Sequence, residues 1–243
     1  MRLRAPQRRW NASRVCRDAM TAAAAIFDLD GTLVDSADAH EHAWTALGVH
    51  LGLPVSRDFF LRFFGRPNPP IIRALFEEHG RTPPSDEEIA RLADHKEAIY
   101  LDRIGVAFPP MPGGVALVRA LAAMNWSLAI GSSAPPGNVR FMLDRLWPTQ
   151  DAPFAAVVTG ACIARGKPYP DVFLEAAHRL DIEPSRCIVI EDAAPGIEAA
   201  HRAGMRCAAL CSKGHTPEEL AAADLLVHHL DELSPARLQS LLP

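Results

Sequence analysis

Short apolar runs alternate with longer amphipathic segments along most of the chain. Six of these runs have the length and nearly continuous hydrophobicity of strands buried on both faces: Ala23–Asp28, Ser127–Gly131, Ala155–Thr159, Cys187–Glu191, Arg206–Leu210 and Leu225–His228. Between them lie helical patterns over Gly114–Met124, Asn138–Leu146, Asp171–Leu180 and Gly196–Ala203. This alternation predicts an α/β fold, with a Rossmann-like parallel sheet core and helices on both of its faces.

One long interval breaks the alternation. It holds no strand pattern, and four helical patterns follow one another in it: Ala37–Gly52, Arg57–Phe64, Pro69–Gly80 and Ser85–Ile104. A proline- and glycine-rich connector, Phe108–Gly114, ends the interval. We therefore predict an all-helical cap domain at residues 37–109, inserted into a core domain formed by residues 22–36 and 110–243.

The composition is typical of a globular protein. Of the 243 residues 49% are hydrophobic, and the mean hydropathy is +0.01. No apolar run approaches the ~20 residues that span a bilayer, so we expect no membrane partner. The five cysteines include no C-x-x-C pair, which predicts reduced thiols in a cytoplasmic protein. We expect the protein to act as a monomer.

The charge is distributed unevenly. Residues 1–18 carry six arginines and one aspartate, a net charge of +5, so the remainder sums to −9 because the whole chain carries −4. An acidic main part offers no electrostatic footprint for nucleic acid. We predict that residues 1–21 form an Arg-rich disordered tail without a catalytic role. A targeting segment and an upstream start, with Met20 as the natural first residue, remain open alternatives.

Two aspartates follow the first predicted strand directly. Asp28 and Asp30 are two residues apart and lead into a Gly-Thr turn, so their side chains leave the strand on the same face. Like charges held this close are unfavourable unless a cation lies between them or one carboxyl is protonated. A hard cation such as Mg²⁺ prefers oxygen ligands, and a carboxylate can attack phosphorus as a nucleophile. The pair therefore indicates metal-assisted phosphoryl chemistry, although a polar turn after a strand is an alternative.

Three further polar groups follow later strands. Ser132 and Ser133 end the second strand and could hold a phosphate, although serine is also a common helix N-cap. Lys167 lies between a glycine and a proline, in a stiff loop that suits a point charge paired with phosphate. Glu191 and Asp192 end the fourth strand. Because the carboxyl ends of parallel strands share one edge of a sheet, we expect these groups to meet Asp28 there.

This ordered combination resembles the haloacid dehalogenase superfamily of aspartate-nucleophile phosphotransferases. The helical insert resembles that of its capped subgroup, which contains beta-phosphoglucomutase and sugar-phosphate phosphatases. The resemblance implies that Asp28 is the nucleophile that becomes aspartyl-phosphate and that Asp30 is the general acid and base. It implies that Ser132, Ser133 and Lys167 bind the transferring phosphoryl group.

The resemblance also implies a magnesium ion. Its ligands would be Asp28, the backbone carbonyl of Asp30, and Asp192, with Glu191 near or in the coordination shell. Mg²⁺ would offset charge on the phosphoryl oxygens so that a carboxylate can approach.

Three cap residues are candidates for substrate recognition. His40 follows Asp30 by ten residues, a spacing at which the mutase-like subgroup has a histidine near the acid/base. It is an unsuitable metal partner for His42, because residues two apart on a helix diverge by about 200°. Arg66 and Lys96 resemble cap positions that meet hydroxyls or a second anionic group, and a solvated surface role is an equal alternative for each.

Together these observations predict a Mg²⁺-dependent phosphatase that hydrolyses small phosphorylated metabolites, sugar phosphates above all, through an aspartyl-phosphate. A beta-phosphoglucomutase-type phosphosugar mutase is the alternative. A phospho-accepting receiver or non-catalytic scaffold is a third reading, but receiver domains lack a helical insert, and a degenerate scaffold would be expected to lose Asp28 or Lys167.

Overall fold

The computed structural model describes residues 23–243, and the predicted tail at residues 1–21 lies outside the described residues. In the described part, six strands form one sheet: β1 (Ala24–Phe27), β2 (Ser127–Gly131), β3 (Ala156–Val158), β4 (Cys187–Glu191), β5 (Arg206–Leu210) and β6 (Leu225–Val227). All pairings are parallel and the strand order is β3-β2-β1-β4-β5-β6. Strands β2 and β3 lie on one side of β1, and β4 to β6 lie on the other, so the strand order switches direction at β1. Sheets of this α/β type bind ligands at such a switch point.

The strands are buried on both faces. In β1, Ala25 and Phe27 pack into one hydrophobic cluster, while Ala24 and Ile26 pack into another on the opposite side of the sheet. Successive side chains of a strand point to opposite faces, so a strand covered on both sides must be apolar at every position. This explains why the strands read as continuous apolar runs.

Nine helices complete the described part: α1 (Ala37–Leu51), α2 (Arg57–Phe63), α3 (Asn68–Glu78), α4 (Asp86–Val106), α5 (Gly114–Ala123), α6 (Pro136–Leu146), α7 (Asp171–Leu180), α8 (Ala194–Arg202) and α9 (Pro235–Gln239). Helices α5, α6 and α9 contribute to the cluster on one face of the sheet, and α7 and α8 contribute to the cluster on the other. The predicted α/β fold, a parallel sheet with helices on both faces, is therefore confirmed. No helix of residues 23–243 is both long and apolar enough to cross a membrane.

Helices α1 to α4 form the predicted helical cap. They share a hydrophobic core of their own, built around Trp44, Leu47, Ile72 and Leu75. The cap leaves the core after β1 and returns before α5, and the two connections meet where Val34 bridges Pro110. The all-helical insert is confirmed by this architecture, whereas the exact boundaries at residues 37 and 109 stay a prediction.

The helix ends differ slightly from the predicted ones. Helix α6 begins at Pro136 rather than Asn138, and α8 begins at Ala194 rather than Gly196. Proline in the first turn of a helix is tolerated because the N–H it lacks has no partner there. The short helix α9 was not predicted, since five residues hold too few turns for a periodic pattern.

Candidate active site

A tight turn after β1 carries the first two aspartates. The Asp28 N–H donates to the Ile190 carbonyl of β4 at 2.9 Å, so the sheet pairing continues up to the nucleophile candidate. Gly31 adopts a φ of +76°, and a Cβ there would lie 1.9 Å from Oδ2 of Asp192. Position 31 therefore requires glycine for two reasons: the turn is left-handed there, and Asp192 approaches the backbone too closely for a Cβ.

Three carboxylates meet beside this turn. One oxygen each of Asp28, Glu191 and Asp192 lies within 4.8 Å of the others, and all three residues are buried. Burial raises the pKa of Asp28 to about 7. Burial and the neighbouring carboxylates also raise the pKa of Asp192 well above its usual range. A hard divalent cation such as Mg²⁺ prefers several carboxylate oxygens close together, as these buried side chains provide. The three residues therefore fit the predicted metal.

Lys167 joins two members of this carboxylate cluster. Its ammonium lies 2.8 Å from Oδ1 of Asp28 and 2.6 Å from Oε1 of Glu191. Burial alone would lower the pKa of Lys167, but the charges of these two carboxylates outweigh burial and raise it. Lys167 is therefore a fixed positive charge beside the Asp28 oxygen, the geometry that a phosphate-binding cation needs.

The Glu191 carboxylate is hydrogen-bonded within the protein, and Lys167 is one of its partners. Its Oε2 accepts the N–H groups of Asp192 and Ala193 at 2.7 and 2.8 Å, and its Oε1 accepts Lys167. A Cβ at Gly196 would lie 1.8 Å from Oε1, so this glycine makes room for the carboxylate. Both Glu191 oxygens thus accept hydrogen bonds within the protein, as do both Asp192 oxygens, from Thr32 and Ser212, so all three carboxylates of the cluster stay candidate cation ligands.

The two serines occupy the end of β2. The Oγ of Ser132 accepts the Ala134 N–H at 3.1 Å, a local serine turn, and the N-cap residue of α6 is Pro135, so the alternative role of the serines as helix N-caps is wrong. The Oγ of Ser133 is buried and has no hydrogen-bond partner among residues 23–243. Both residues line the cavity above the carboxylate cluster. A buried hydroxyl without a partner is costly, so Ser133 is ready to donate to a ligand in that cavity.

Asp30 points toward the cap. Its Oδ1 lies 3.1 Å from Nε2 of His40 and accepts the Tyr100 hydroxyl at 2.8 Å. Burial would raise the pKa of Asp30, but interactions with His40 and then Tyr100 lower it to about 2. The His40 and Tyr100 rings stack with centroids 4.1 Å apart. Asp30 is therefore an ionised carboxylate with a fixed orientation.

The cap contributes Lys96 and Arg66 in different ways. The Lys96 side chain is only 1% exposed, and its ammonium contacts Nδ1 of His40 at 2.8 Å and Oε1 of Glu97 at 2.9 Å. A solvated surface role for Lys96 is therefore wrong. Arg66 is exposed and also lines the cavity, and its guanidinium lies 5.7 Å from the centre of the Phe63 ring.

The cavity between cap and core has a volume of about 440 Å³. Its floor holds Asp28 and Lys167, and its cap side holds His40, Arg66 and Lys96. Cavities of about 300–1,000 Å³ accommodate small metabolites. The catalytic, phosphate-binding, metal and cap candidates named from the sequence thus all line this one cavity.

Comparison with known proteins agrees with this geometry. The haloacid dehalogenase-like hydrolase family matches residues 22–204, which is well over half of the chain. The chain belongs to this family. Validoxylamine A 7'-phosphate phosphatase of Streptomyces hygroscopicus subsp. limoneus is 34% identical to this haloacid dehalogenase-like hydrolase over 217 residues, covering 86% of this chain and 94% of that protein.

Two further similarities concern mutases. The haloacid dehalogenase-like hydrolase is 33% identical to beta-phosphoglucomutase of Bacillus subtilis over 214 residues, covering 87% of this chain and 91% of that protein. The crystal structure of beta-phosphoglucomutase from Clostridium difficile superposes with a TM-score of 0.81 at 27% identity, covering 90% of this chain and 96% of that one. The fold and the cap of this hydrolase are therefore shared with both phosphatases and mutases.

Sequence reasoning missed several residues of this hydrolase's site. Tyr100 is one turn after Lys96 on α4, a spacing that places both on one helix face. Glu97, Asn138 and Ser212 were also missed; the Ser212 hydroxyl donates to Oδ2 of Asp192 at 2.8 Å. Only Tyr100 carried a signal, the helical spacing, that could have revealed it.

Proposed function

We propose that this haloacid dehalogenase-like hydrolase is a Mg²⁺-dependent phosphatase of small phosphorylated sugars and polyols that works through an aspartyl-phosphate on Asp28. The observation that carries the proposal is the contact of Lys167 with Asp28 inside the carboxylate cluster. A carboxylate with one oxygen 2.8 Å from a phosphate-binding cation and the other oxygen free to react suits attack on a phosphoryl group. Similarity to hexitol phosphatase A and to a fructose-1-phosphate phosphatase, both of Escherichia coli, supports the substrate class.

The proposed first step transfers the phosphoryl group to the protein. The free Asp28 oxygen attacks phosphorus, the bond from phosphorus to the substrate oxygen breaks, and Asp30 supplies the proton to that oxygen. Lys167, Ser132 and Ser133 hold the phosphoryl oxygens. A bound phosphoryl group adds negative charge near Asp30, which raises the low resting pKa of that carboxyl and allows it to carry a proton.

The proposed second step releases phosphate. Asp30, again a carboxylate, takes a proton from water, the water oxygen attacks phosphorus, and the bond between phosphorus and the Asp28 oxygen breaks. The cap covers the cavity and limits which nucleophile reaches the aspartyl-phosphate. Mg²⁺, held by Asp28, the Asp30 carbonyl and Asp192, would supply charge that offsets the phosphoryl oxygens.

Magnesium affinity is expected to depend on pH. Asp28 has a pKa raised to about 7 and must lose its proton to bind a cation, so protons compete with Mg²⁺. Affinity should fall about tenfold for each pH unit below about 7 through Asp28 alone, and more steeply where Asp192 is protonated as well. Calorimetric Mg²⁺ titrations between about pH 6 and pH 8 measure this slope, and a pH-independent affinity would contradict the assigned ligands.

The phosphatase is tested by phosphate release from a panel of phosphorylated metabolites with Mg²⁺ and with EDTA. We expect Mg²⁺-dependent release from hexose or polyol phosphates. A flat, EDTA-insensitive response would contradict the proposal and favour a non-catalytic scaffold.

A phosphosugar mutase is the second candidate, supported by the similarity to beta-phosphoglucomutase. A second assay arm follows conversion of beta-glucose 1-phosphate to glucose 6-phosphate. Conversion without stoichiometric phosphate release would overturn the preference for hydrolysis.

A further inference from the structure

Three helices meet at the Glu97 side chain. It lies on α4 with its side chain 12% exposed. Its Oε1 accepts Asn68 Nδ2, at the start of α3, at 2.6 Å and the neighbouring Lys96 ammonium at 2.9 Å. Its Oε2 accepts Nδ2 of Asn138, which belongs to α6 of the core. One cap carboxylate therefore joins two cap helices to a core helix, and through Lys96 it reaches α1.

The first consequence concerns Asp30. Lys96 contacts Nδ1 of His40, and Nε2 of His40 lies 3.1 Å from Oδ1 of Asp30. Glu97 is the carboxylate that pairs with the Lys96 ammonium among residues 23–243. Removing a partner from a buried charge is costly, so Glu97 holds the Lys96 side chain in place. The orientation of His40 against Asp30 thus depends on Glu97.

The second consequence concerns the core. Asn138 is 3% exposed and lies in the first turn of α6, which follows the loop carrying Ser132 and Ser133. A buried amide without a partner is unfavourable. The Asn138 side chain is therefore stabilised when the cap is closed and Glu97 accepts its hydrogen bond. The contact between Glu97 and Asn138 exists only while the cap rests on the core.

We infer that Glu97 is a positioning residue, a latch between cap and core that sets the Lys96–His40 pair against Asp30 when the cap closes on the phosphate-binding loop. This inference rests on the proposed function. Glu97 acts through other side chains and does not touch the reacting atoms. Three of its acceptor positions are already used by protein donors, which distinguishes it from a group that binds substrate alone.

The test exchanges donor and acceptor across the latch. Asn138→Asp places two carboxylates together, which should open the latch and lower kcat roughly ten- to a hundredfold with KM within about twofold. Adding Glu97→Gln restores an amide-to-carboxylate hydrogen bond between cap and core, so kcat should recover in part, the remaining loss arising because Lys96 no longer has a charged partner. Glu87→Gln is the matched control on the same helix, since Glu87 is 83% exposed and contacts only Arg91 in the described structure.

An unchanged kcat in Asn138→Asp, or a double variant no better than the single one, would overturn the latch. Amide hydrogen exchange gives a second readout that needs no turnover. Exchange at the hydrogen-bonded amides of α3 and α6 that follow their proline-containing first turns should be faster in Asn138→Asp and slower again in the double variant. If wild type hydrolyses no phosphomonoester, the proposed function fails, and the exchange pattern alone still supports or refutes the latch.

Discussion

Replacing Asp28 by asparagine is expected to abolish Mg²⁺-dependent phosphate release, with a loss of about 10⁴-fold or more. An amide has no charge to attack phosphorus and is a poorer cation ligand. The fold should survive, because burial already raises the pKa of Asp28 to about 7 and a neutral side chain relieves that cost. The amide oxygen can still accept Lys167. Phosphate release and the unfolding temperature are the two measurements.

Asp35→Asn is the matched control for this variant. Asp35 lies on the same connection but pairs with Lys213 outside the carboxylate cluster. It should keep near wild-type turnover. Substantial Mg²⁺-dependent activity in Asp28→Asn would remove the nucleophile assignment.

The second large effect is expected from Asp30→Asn, which should lower kcat for sugar phosphates by about 10²–10⁴-fold. The amide oxygen still accepts His40 and Tyr100, so the site geometry is retained while proton transfer is lost. For p-nitrophenyl phosphate, whose leaving oxygen needs no proton, the rate of the first step should fall less. With that substrate a burst of p-nitrophenol is expected, followed by slow turnover.

The burst separates the two roles of Asp30. It arises because the second step still lacks a base for water, so the aspartyl-phosphate accumulates. Equal losses for both substrates and no burst would indicate that Asp30 acts as a structural or metal-binding group instead.

The architecture could be predicted because its signals are local. Strands buried on both faces must be apolar throughout, and the helical insert differs from them in period. The meeting of Asp28 with Asp192 was also predictable, since ends of parallel strands share one edge of a sheet. Their oxygens do lie within 4.8 Å of each other.

The contacts across the cap could not be predicted in this way. The burial of Lys96 and the pairing of Glu97 with Asn138 depend on how the cap docks on the core, which no local pattern encodes. The hydrogen bonds of Glu191 depend on the space left by Gly196. The sequence therefore predicted which residues surround the cavity, and the structure shows which of them form hydrogen bonds and ion pairs with one another.

The account depends most on a covalent bond between phosphorus and Asp28, and rapid quenching during turnover measures it directly. A phosphomonoester that the wild-type protein hydrolyses with Mg²⁺ is mixed with it, quenched in acid and digested for mass spectrometry. The account predicts a transient, acyl-type phosphoryl group on the peptide carrying Asp28. Turnover with no phosphorylated peptide, or with the phosphoryl group on another residue, would contradict it.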